Sequence, residues 1–113
     1  MKALQVDPGY KPKLVTVPQE QQKLDALCGG TLTLQRFAWD AAGVLYCPEA
    51  AEQNRRYNGR WLPGRLLIVG VQGNRLCSLT AGQIEMYAKH WTPAVGGDED
   101  RRGSNAGSKQ EDI

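Results

Sequence analysis

Apolar and polar residues alternate along several short segments of the chain, and this alternation predicts β-strands. Residues 66–71 differ, because they are almost continuously apolar, which is typical of a strand buried on both faces. Residues with turn-forming side chains, at 7–9 and 72–74, separate neighbouring segments and indicate hairpins. The predicted strands are residues 2–6, 13–17, 31–35, 44–47, 66–71 and 75–79.

Two other segments have the periodicity of an amphipathic α-helix. The first begins at Pro18 and ends at Gly29, a residue suited to a left-handed cap. The second begins after Thr80, and Gln83 three residues later predicts a capping box. Each helix has one apolar stripe, formed by Leu24, Leu27 and Cys28 in the first and by Ile84, Tyr87, Ala88 and Trp91 in the second.

These elements follow the order ββαββ, a long excursion, and then ββα. We expect an α+β fold in which a mostly antiparallel sheet of about six strands packs with two helices. We expect both helices to lie on one face of that sheet. Residues 1–92 are predicted to form this single domain, and residues 93–113, rich in Gly, Ser, Asn and charge, to form a flexible polar tail.

The net charge of +2 is distributed unevenly along the chain. Residues 1–92 carry eleven Lys/Arg and seven Asp/Glu, whereas residues 93–113 carry three and five. The predicted domain is therefore mildly basic, which is compatible with an anionic partner but does not require one. Three cysteines without a C-x-x-C pair indicate reduced thiols, and no apolar segment reaches membrane-spanning length. We therefore expect a cytoplasmic protein that has no membrane contact.

Residues 49–65 form the excursion, which has no strong periodicity and at most one short helix or strand. Its residues 54–65 contain four arginines and no acidic residue. Guanidinium groups bind phosphates or carboxylates, and aromatic rings stack on nucleobases. The segment therefore predicts an anion-binding site, and the alternative is a solvated loop whose aromatic side chains pack on the sheet edge. The candidate ligand-binding residues are Asn54, Arg55, Arg56, Tyr57, Arg60, Trp61 and Arg65.

The sequence gives little support for metal binding or catalysis. Cys28, Cys47, Cys77 and His90 could supply a metal set, but their spacing matches no zinc motif, so we predict no metal site and no cofactor. Nucleophilic catalysis needs a base beside the nucleophile, and His90, the only histidine, is explained by its place at a helix end. We therefore predict no catalytic residue.

Four short motifs follow one another along residues 1–92. They are Met-Lys-Ala-Leu-x-Val-x-Pro-Gly at the start, Asn54-Arg55, Leu67-Ile68-Val69-Gly70 and Ser78-Leu79-Thr80-x-x-Gln83-Ile84. In this order they resemble a small family of uncharacterised domains that phages, plasmids and other mobile elements encode, some beside antirestriction-type domains. The stretch between the second and third motifs is shorter and richer in arginine here than in the family pattern. The resemblance implies an accessory gene of a mobile element and implies no particular activity.

Three hypotheses for function follow. The first is a non-enzymatic binding protein of a phage or mobile element, of the counter-defence type (antirestriction or anti-CRISPR), that docks on a host or phage protein. The second is a nucleotide or nucleic-acid binder that uses the excursion. The third is a small enzyme whose site residues meet only in the folded chain. A homodimer formed through a free sheet edge is compatible with all three.

Overall fold

The computed structural model describes residues 1–91, and the predicted tail of residues 93–113 lies outside them. The described residues form eight strands and two helices, in agreement with the predicted α+β class. The strands are β1 (Lys2–Val6), β2 (Lys13–Thr16), β3 (Thr33–Arg36), β4 (Ala42–Tyr46), β5 (Gln53–Tyr57), β6 (Arg60–Pro63), β7 (Leu66–Gln72) and β8 (Arg75–Cys77). The helices are α1 (Gln21–Cys28) and α2 (Ala81–His90).

Six of these strands form one antiparallel sheet, in which β2, β1, β7, β4 and β3 are neighbours in that order. The seven-residue strand β7 is central to it. Its first half pairs with β1, its last residues pair with β8, and β4 runs along its other side. The prediction of a mostly antiparallel sheet of six strands with two helices is therefore confirmed.

The two helices lie on opposite faces of the sheet, so the prediction that both cover one face is wrong. Leu24 of α1 packs in the same cluster as Leu67, whereas Tyr87 of α2 packs in the same cluster as Ile68. Neighbouring residues of a strand point to opposite faces, and both of these β7 residues are fully buried. A strand that is apolar at consecutive positions needs cover on both sides, which α1 provides on one face and α2 on the other.

The helix ends follow their local sequence signals. The Thr80 hydroxyl accepts a 3.1 Å hydrogen bond from the Gln83 backbone N–H, and the Gln83 side chain accepts one of 2.9 Å from the Thr80 backbone N–H. This reciprocal pair is the predicted capping box. Gly29 ends α1 with a φ of 83°, as predicted for a left-handed cap, although α1 begins at Gln21 rather than at Pro18.

Most of the excursion is a β-hairpin rather than an irregular segment. Strands β5 and β6 pair as a separate two-stranded sheet, joined by Asn58 and Gly59. Both turn residues have positive φ angles, 50° and 80°, which is the backbone that an Asn-Gly hairpin turn requires. Leu62 of β6 is buried in the same cluster as α2, so the hairpin covers that face of the main sheet beside the helix.

Candidate binding surface

The β5–β6 hairpin divides its side chains between an inner and an outer face. Arg55 pairs with Leu62, and Arg56 pairs with Trp61 one position further along. Directly paired residues of an antiparallel hairpin share a face, and consecutive pairs alternate between faces. Arg55 and Leu62 are buried against the protein, whereas Arg56 is exposed and Trp61 is 44% exposed. The hairpin therefore presents an arginine and a tryptophan on its outer face.

Asn54 and Arg55, two of the predicted ligand-binding residues, are buried and bound within the protein. The Arg55 guanidinium donates to the carbonyl of Trp91 at 3.0 Å, to the side-chain oxygen of Asn54 at 2.6 Å, and to the carbonyl of Tyr10. The Asn54 amide donates to the carbonyls of Val6 at 2.8 Å and of Gly64. These bonds join the hairpin to β1, to the turn after β1 and to the end of α2.

The Arg55 charge has no carboxylate partner within residues 1–91. The three ion pairs of that range involve Lys23, Arg65 and Lys89 as the cations. Burial lowers the pKa of Arg55 to about 10, because removal from water disfavours the charged form. The guanidinium is therefore held by neutral oxygens, which satisfy a buried cation less completely than a carboxylate would.

Arg65 also has partners within the protein. Its guanidinium donates to the Asp7 carboxylate at 2.8 Å and to the carbonyl of Leu27 at 3.3 Å. Burial alone would raise the pKa of Asp7, but hydrogen bonds from Arg65 and Gln5 outweigh it and hold this pKa below its ordinary value. Arg65 thus joins the end of β1 to the last turn of α1, on the side of the hairpin base.

Three of the remaining predicted residues, Arg56, Arg60 and Trp61, lie at the surface. The Arg56 guanidinium carbon lies 5.6 Å from the centre of the Trp61 ring, a cation–π contact, and Arg56 donates to the Gly59 carbonyl at 3.2 Å. Arg60 is exposed and donates to the side-chain oxygen of Gln35 at 3.3 Å and to the hydroxyl of Tyr46 at 3.2 Å. Both guanidinium groups are thus oriented by neutral neighbours.

An aromatic cluster lies beside Tyr57, on the other side of the hairpin from Arg56 and Trp61. The Trp39 ring stacks on Phe37 with a centroid distance of 4.8 Å and an angle of 7° between the planes. Tyr57 of β5 is half-buried, with its ring 6.1 Å from Trp39 and 6.4 Å from Trp91 at the end of α2. Trp39 is nevertheless 59% exposed. One face of its indole is thus covered by protein while much of the side chain meets solvent.

Sequence reasoning missed Trp39, and the only signal for it in the sequence is a large aromatic residue in a connection between two strands. The residue lies in the turn between β3 and β4, where an aromatic side chain has no strand pattern to assign it to the core. Asp40, the next residue, accepts a 2.6 Å hydrogen bond from the Tyr87 hydroxyl and one of 3.1 Å from the Gln83 side chain. Because α2 holds this turn through Asp40, the neighbouring Trp39 has a fixed position at the surface.

The Asp40–Tyr87 hydrogen bond also shifts the pKa of both residues. The hydrogen bond from Tyr87 lowers the pKa of Asp40, and it outweighs the opposing effect of desolvation. Burial, and then the neighbouring carboxylate, raises the pKa of Tyr87 above its ordinary value. The pair therefore favours an ionised carboxylate that accepts from a neutral phenol.

Five side chains on and beside the hairpin form two patches, which together we call the aromatic–arginine surface: Trp39, Arg56, Tyr57, Arg60 and Trp61. Arg56 and Trp61 form the patch on the outer face of the hairpin. Trp39, Tyr57 and Arg60 form the patch on its other side, where Tyr57 is beside Trp39 and pairs with Arg60 across the turn. Guanidinium forks bind anions, and indole rings provide large apolar contact areas. The ligand-binding role predicted for Arg56, Tyr57, Arg60 and Trp61 stays a prediction, and the same holds for Asn54, Arg55 and Arg65.

Other functional groups are sparse in the part of the chain that the structure describes. Residues 1–91 contain no group of three or more His, Cys, Asp or Glu side chains arranged to hold a metal ion. Cys28, Cys47 and Cys77 form no disulfide, and burial raises the pKa of the Cys28 thiol to about 11. Neither α1 nor α2 is long and apolar enough to cross a membrane.

Residues 1–91 thus define a small α+β protein whose most distinctive exposed feature is the aromatic–arginine surface. No protein-family model, no curated protein and no solved structure matches this chain. Its function is therefore inferred from the chemistry of that surface.

Proposed function

We propose that this chain is a non-enzymatic binding protein that docks on a partner protein through the aromatic–arginine surface. The observation that carries the proposal is the exposure of two tryptophans and two arginines on and beside one hairpin: Trp39, Arg56, Arg60 and Trp61. Tryptophan, tyrosine and arginine dominate the residues whose truncation weakens protein interfaces most. A surface built from these three residue types alone has the composition of the centre of such an interface.

The surface is also held in place before any partner binds. Phe37 stacks on Trp39, and Trp61 contacts the guanidinium of Arg56 through a cation–π interaction. Hydrogen bonds to the main sheet orient Arg60. Ordering a side chain on binding costs about 0.5–1.5 kcal/mol, so side chains already held by neighbours bind at lower cost. This arrangement supports a docking role.

The biological setting is proposed on the resemblance to mobile-element domains. We propose an accessory protein of a phage or other mobile element that inhibits a host defence protein by occupying its surface. It would act in the cytoplasm, where its three cysteines would stay reduced. Such an inhibitor has no catalytic step, and it would form a tight complex of fixed stoichiometry.

A nucleotide or nucleic-acid ligand is the second candidate, and one observation favours it. Because Phe37 covers one face of the Trp39 indole and the side chain is 59% exposed, the opposite ring face is available for stacking on a base. Arg60 lies next to this position, across the hairpin from Tyr57, and could meet a phosphate. This candidate would use the same surface for a different class of ligand.

Native mass spectrometry on the protein purified gently from its producing cells tests the proposal. Docking predicts a complex whose additional mass equals one partner protein. Additional mass in the range of a nucleotide would instead support the second candidate, and a mass of two copies would indicate pairing through a sheet edge. A protein that carries no partner from cells in which it acts would contradict the docking proposal.

A further inference from the structure

We propose that the partner adds an extended acidic segment to the free edge of β3, where two consecutive carboxylates pair with Arg36 on one face of the sheet and with Arg60 on the other. This inference rests on the docking function proposed above and names the backbone geometry and the charge of the partner. Arg60 belongs to the patch of the aromatic–arginine surface that contains Trp39 and Tyr57, so the added segment meets that patch alone.

Strand β3 is a terminal strand of the main sheet, and within residues 1–91 it pairs only with β4. The Phe37 N–H donates to the Ala42 carbonyl at 2.9 Å, so the backbone groups of Phe37 point toward β4. These groups alternate in direction along a strand, so those of Gln35 also point toward β4, whereas those of Leu34 and Arg36 point outward. The Arg36 carbonyl accepts from the Gln35 side chain at 3.2 Å. The two outward N–H groups and the Leu34 carbonyl therefore remain for a further strand, the mode by which extended peptides bind sheet edges.

The opposite edge of the sheet, formed by β2, is less suited to an added strand. Pro12 and Pro18 flank β2, and a proline has no backbone N–H to donate. Lys11 and Lys13 are exposed beside this edge. Prolines and lysines are residues that protect the edges of natural sheets from further pairing. Residues 31–36 contain neither, so β3 lacks this protection.

The two arginines lie at the β3 edge on opposite faces of the sheet. Gln35 pairs with Val44, which is buried in the same cluster as α2. Arg60 donates to the Gln35 side chain at 3.3 Å and to the Tyr46 hydroxyl at 3.2 Å, so it lies over β3 on the α2 face. Arg36 follows Gln35 in the strand and therefore projects from the α1 face, because consecutive side chains point to opposite faces.

Charge determines which segment fits this edge. Arg36 and Arg60 are exposed and form none of the three ion pairs found within residues 1–91. Arg36 donates from its Nη2 atom to the Gly73 carbonyl at 2.9 Å, and Arg60 donates from its Nη2 atom to two neutral oxygens. Further N–H donors of both guanidinium groups are available for carboxylates. Two adjacent acidic residues of an added strand would project to opposite faces and reach one arginine each.

A second copy of this chain fits the β3 edge less well. Pairing of β3 with β3 of another copy would bring four arginines together, Arg36 and Arg60 from each copy. Like charges across a strand pair are destabilising, whereas an acidic segment supplies the charge that these arginines lack. A nucleic-acid backbone has no N–H groups that could continue the hydrogen-bond ladder of the sheet.

The test uses the full chain and three defined probes, followed by NMR. The first probe is the peptide Thr-Val-Glu-Glu-Val-Thr with blocked ends, in which the acidic pair lies between strand-forming residues. The second is the same peptide with Gln in place of both Glu residues. The third is an oligothymidylate of matched length. Titration of the amide resonances measures the affinity of each probe.

Amide hydrogen exchange tests the backbone geometry directly. At saturating Glu peptide, the Leu34 and Arg36 N–H groups should exchange about tenfold more slowly, because the added strand accepts from them. Thr16 provides the control at the other edge. Its N–H points outward from β2, since the Val17 N–H is bonded to the Met1 carbonyl at 2.9 Å, and its exchange should stay unchanged.

Two double variants test the role of charge. Arg36→Gln/Arg60→Gln removes two positive charges at the β3 edge, and Lys11→Gln/Lys13→Gln is the matched control that removes two exposed charges beside β2. The amide spectrum of each variant shows whether it is folded. The wild type should bind the Glu peptide about fivefold more tightly than the Gln peptide, as two partly exposed ion pairs predict. The arginine variant should lose this preference, and the lysine variant should keep it.

Equal affinity for the two peptides would overturn the acidic character of the partner, and unchanged exchange at Leu34 and Arg36 would overturn the added strand. Slow exchange of these two amides in the free protein would show that the edge is already occupied, by residues 92–113 or by a second copy, and would also overturn the inference. Tighter binding of the oligothymidylate would overturn it in favour of a nucleic acid. The docking proposal is judged separately, by the complex recovered from cells.

Discussion

The hydroxyl of Tyr87 donates a 2.6 Å hydrogen bond to the carboxylate of Asp40, and this bond joins α2 to the turn that carries Trp39. Tyr87 is 2% exposed, so its hydroxyl has little access to water in the folded protein. The same carboxylate accepts from the Gln83 side chain in the first turn of α2. A helix on one face of the sheet thereby fixes an exposed anchor of the proposed binding surface.

Removal of this hydroxyl is expected to destabilise the protein. Tyr87→Phe should lower the free energy of unfolding by about 1.5 kcal/mol, because a hydrogen bond to a charged group is lost. Urea-induced unfolding at neutral pH measures the change. Tyr57→Phe is the matched control, because the tyrosine hydroxyls that form hydrogen bonds within residues 1–91 are those of Tyr46 and Tyr87. Its effect should stay within about 0.5 kcal/mol. Equal effects of the two substitutions would contradict the role given to the Tyr87–Asp40 bond.

The same contact predicts a dependence of stability on pH. The pKa of Asp40 in the folded protein lies below its ordinary value of 3.8, so the ionised carboxylate stabilises the fold. This contribution is fully present above pH 3.8 and is lost as the pH falls through the lower folded pKa. The stability difference between the wild type and Asp40→Asn should therefore shrink in acid. Unfolding curves for both proteins at neutral and at acidic pH measure it, and a difference that grows in acid would show that the sign is wrong.

Arg55 and Arg56 are adjacent in sequence and are expected to behave in opposite ways. Arg55→Ala leaves the oxygens of Asn54, Tyr10 and Trp91 without their donor inside the protein. An unsatisfied buried polar group costs about 1–3 kcal/mol, so we expect a loss of about 3 kcal/mol or more. Arg56→Ala changes an exposed side chain and should stay within about 0.5 kcal/mol. Thermal or urea unfolding that finds the two variants equally stable would contradict the buried role of Arg55.

Replacing Gly59 or Gly82 by alanine is expected to change the stability of the protein in opposite directions. Gly59 has a φ of 80° in the hairpin turn, and a side chain in this conformation costs about 1–2 kcal/mol, so Gly59→Ala should be destabilising. Gly82 lies in the first turn of α2, where an added Cβ meets open space. Gly82→Ala should therefore raise the free energy of unfolding by up to about 1 kcal/mol. Denaturation midpoints measure both changes. A Gly59→Ala variant as stable as the wild type would contradict the turn conformation, and a destabilised Gly82→Ala variant would contradict the open space found at that position.

Elements with strong local signals were predictable from the sequence. The apolar run of β7 indicates burial on both faces, and the Thr80–Gln83 spacing indicates a capping box, because each pattern has a direct physical cause within a few residues. The face of the sheet that each helix covers was harder to predict from the sequence. The alternation that marks a strand does not show which face a helix will cover, although double-sided burial of β7 already requires cover on both.

The hairpin shows why the site was only partly predictable. Asn58-Gly59 is a strong turn signal, but the polar, arginine-rich segments around it lack the apolar alternation that normally marks strands. Arg55 and Arg56 have the same side chain, and only the tertiary structure shows that one is buried and the other exposed. Trp39 joins the surface through packing on Phe37 and Tyr57, contacts that no spacing in the sequence indicates.

The affinity of the protein for the partner recovered from its producing cells tests the aromatic–arginine surface most directly. Calorimetric titration of that partner would compare the wild type with Trp39→Ala/Trp61→Ala and with Leu14→Ala, a control that removes a 53% exposed apolar side chain from β2. Truncation of a dominant interface residue costs at least about 2 kcal/mol, so the double variant should weaken binding by about 30-fold or more, while Leu14→Ala should bind as the wild type does. Wild-type affinity in the double variant would show that the partner binds elsewhere and would contradict the proposed surface.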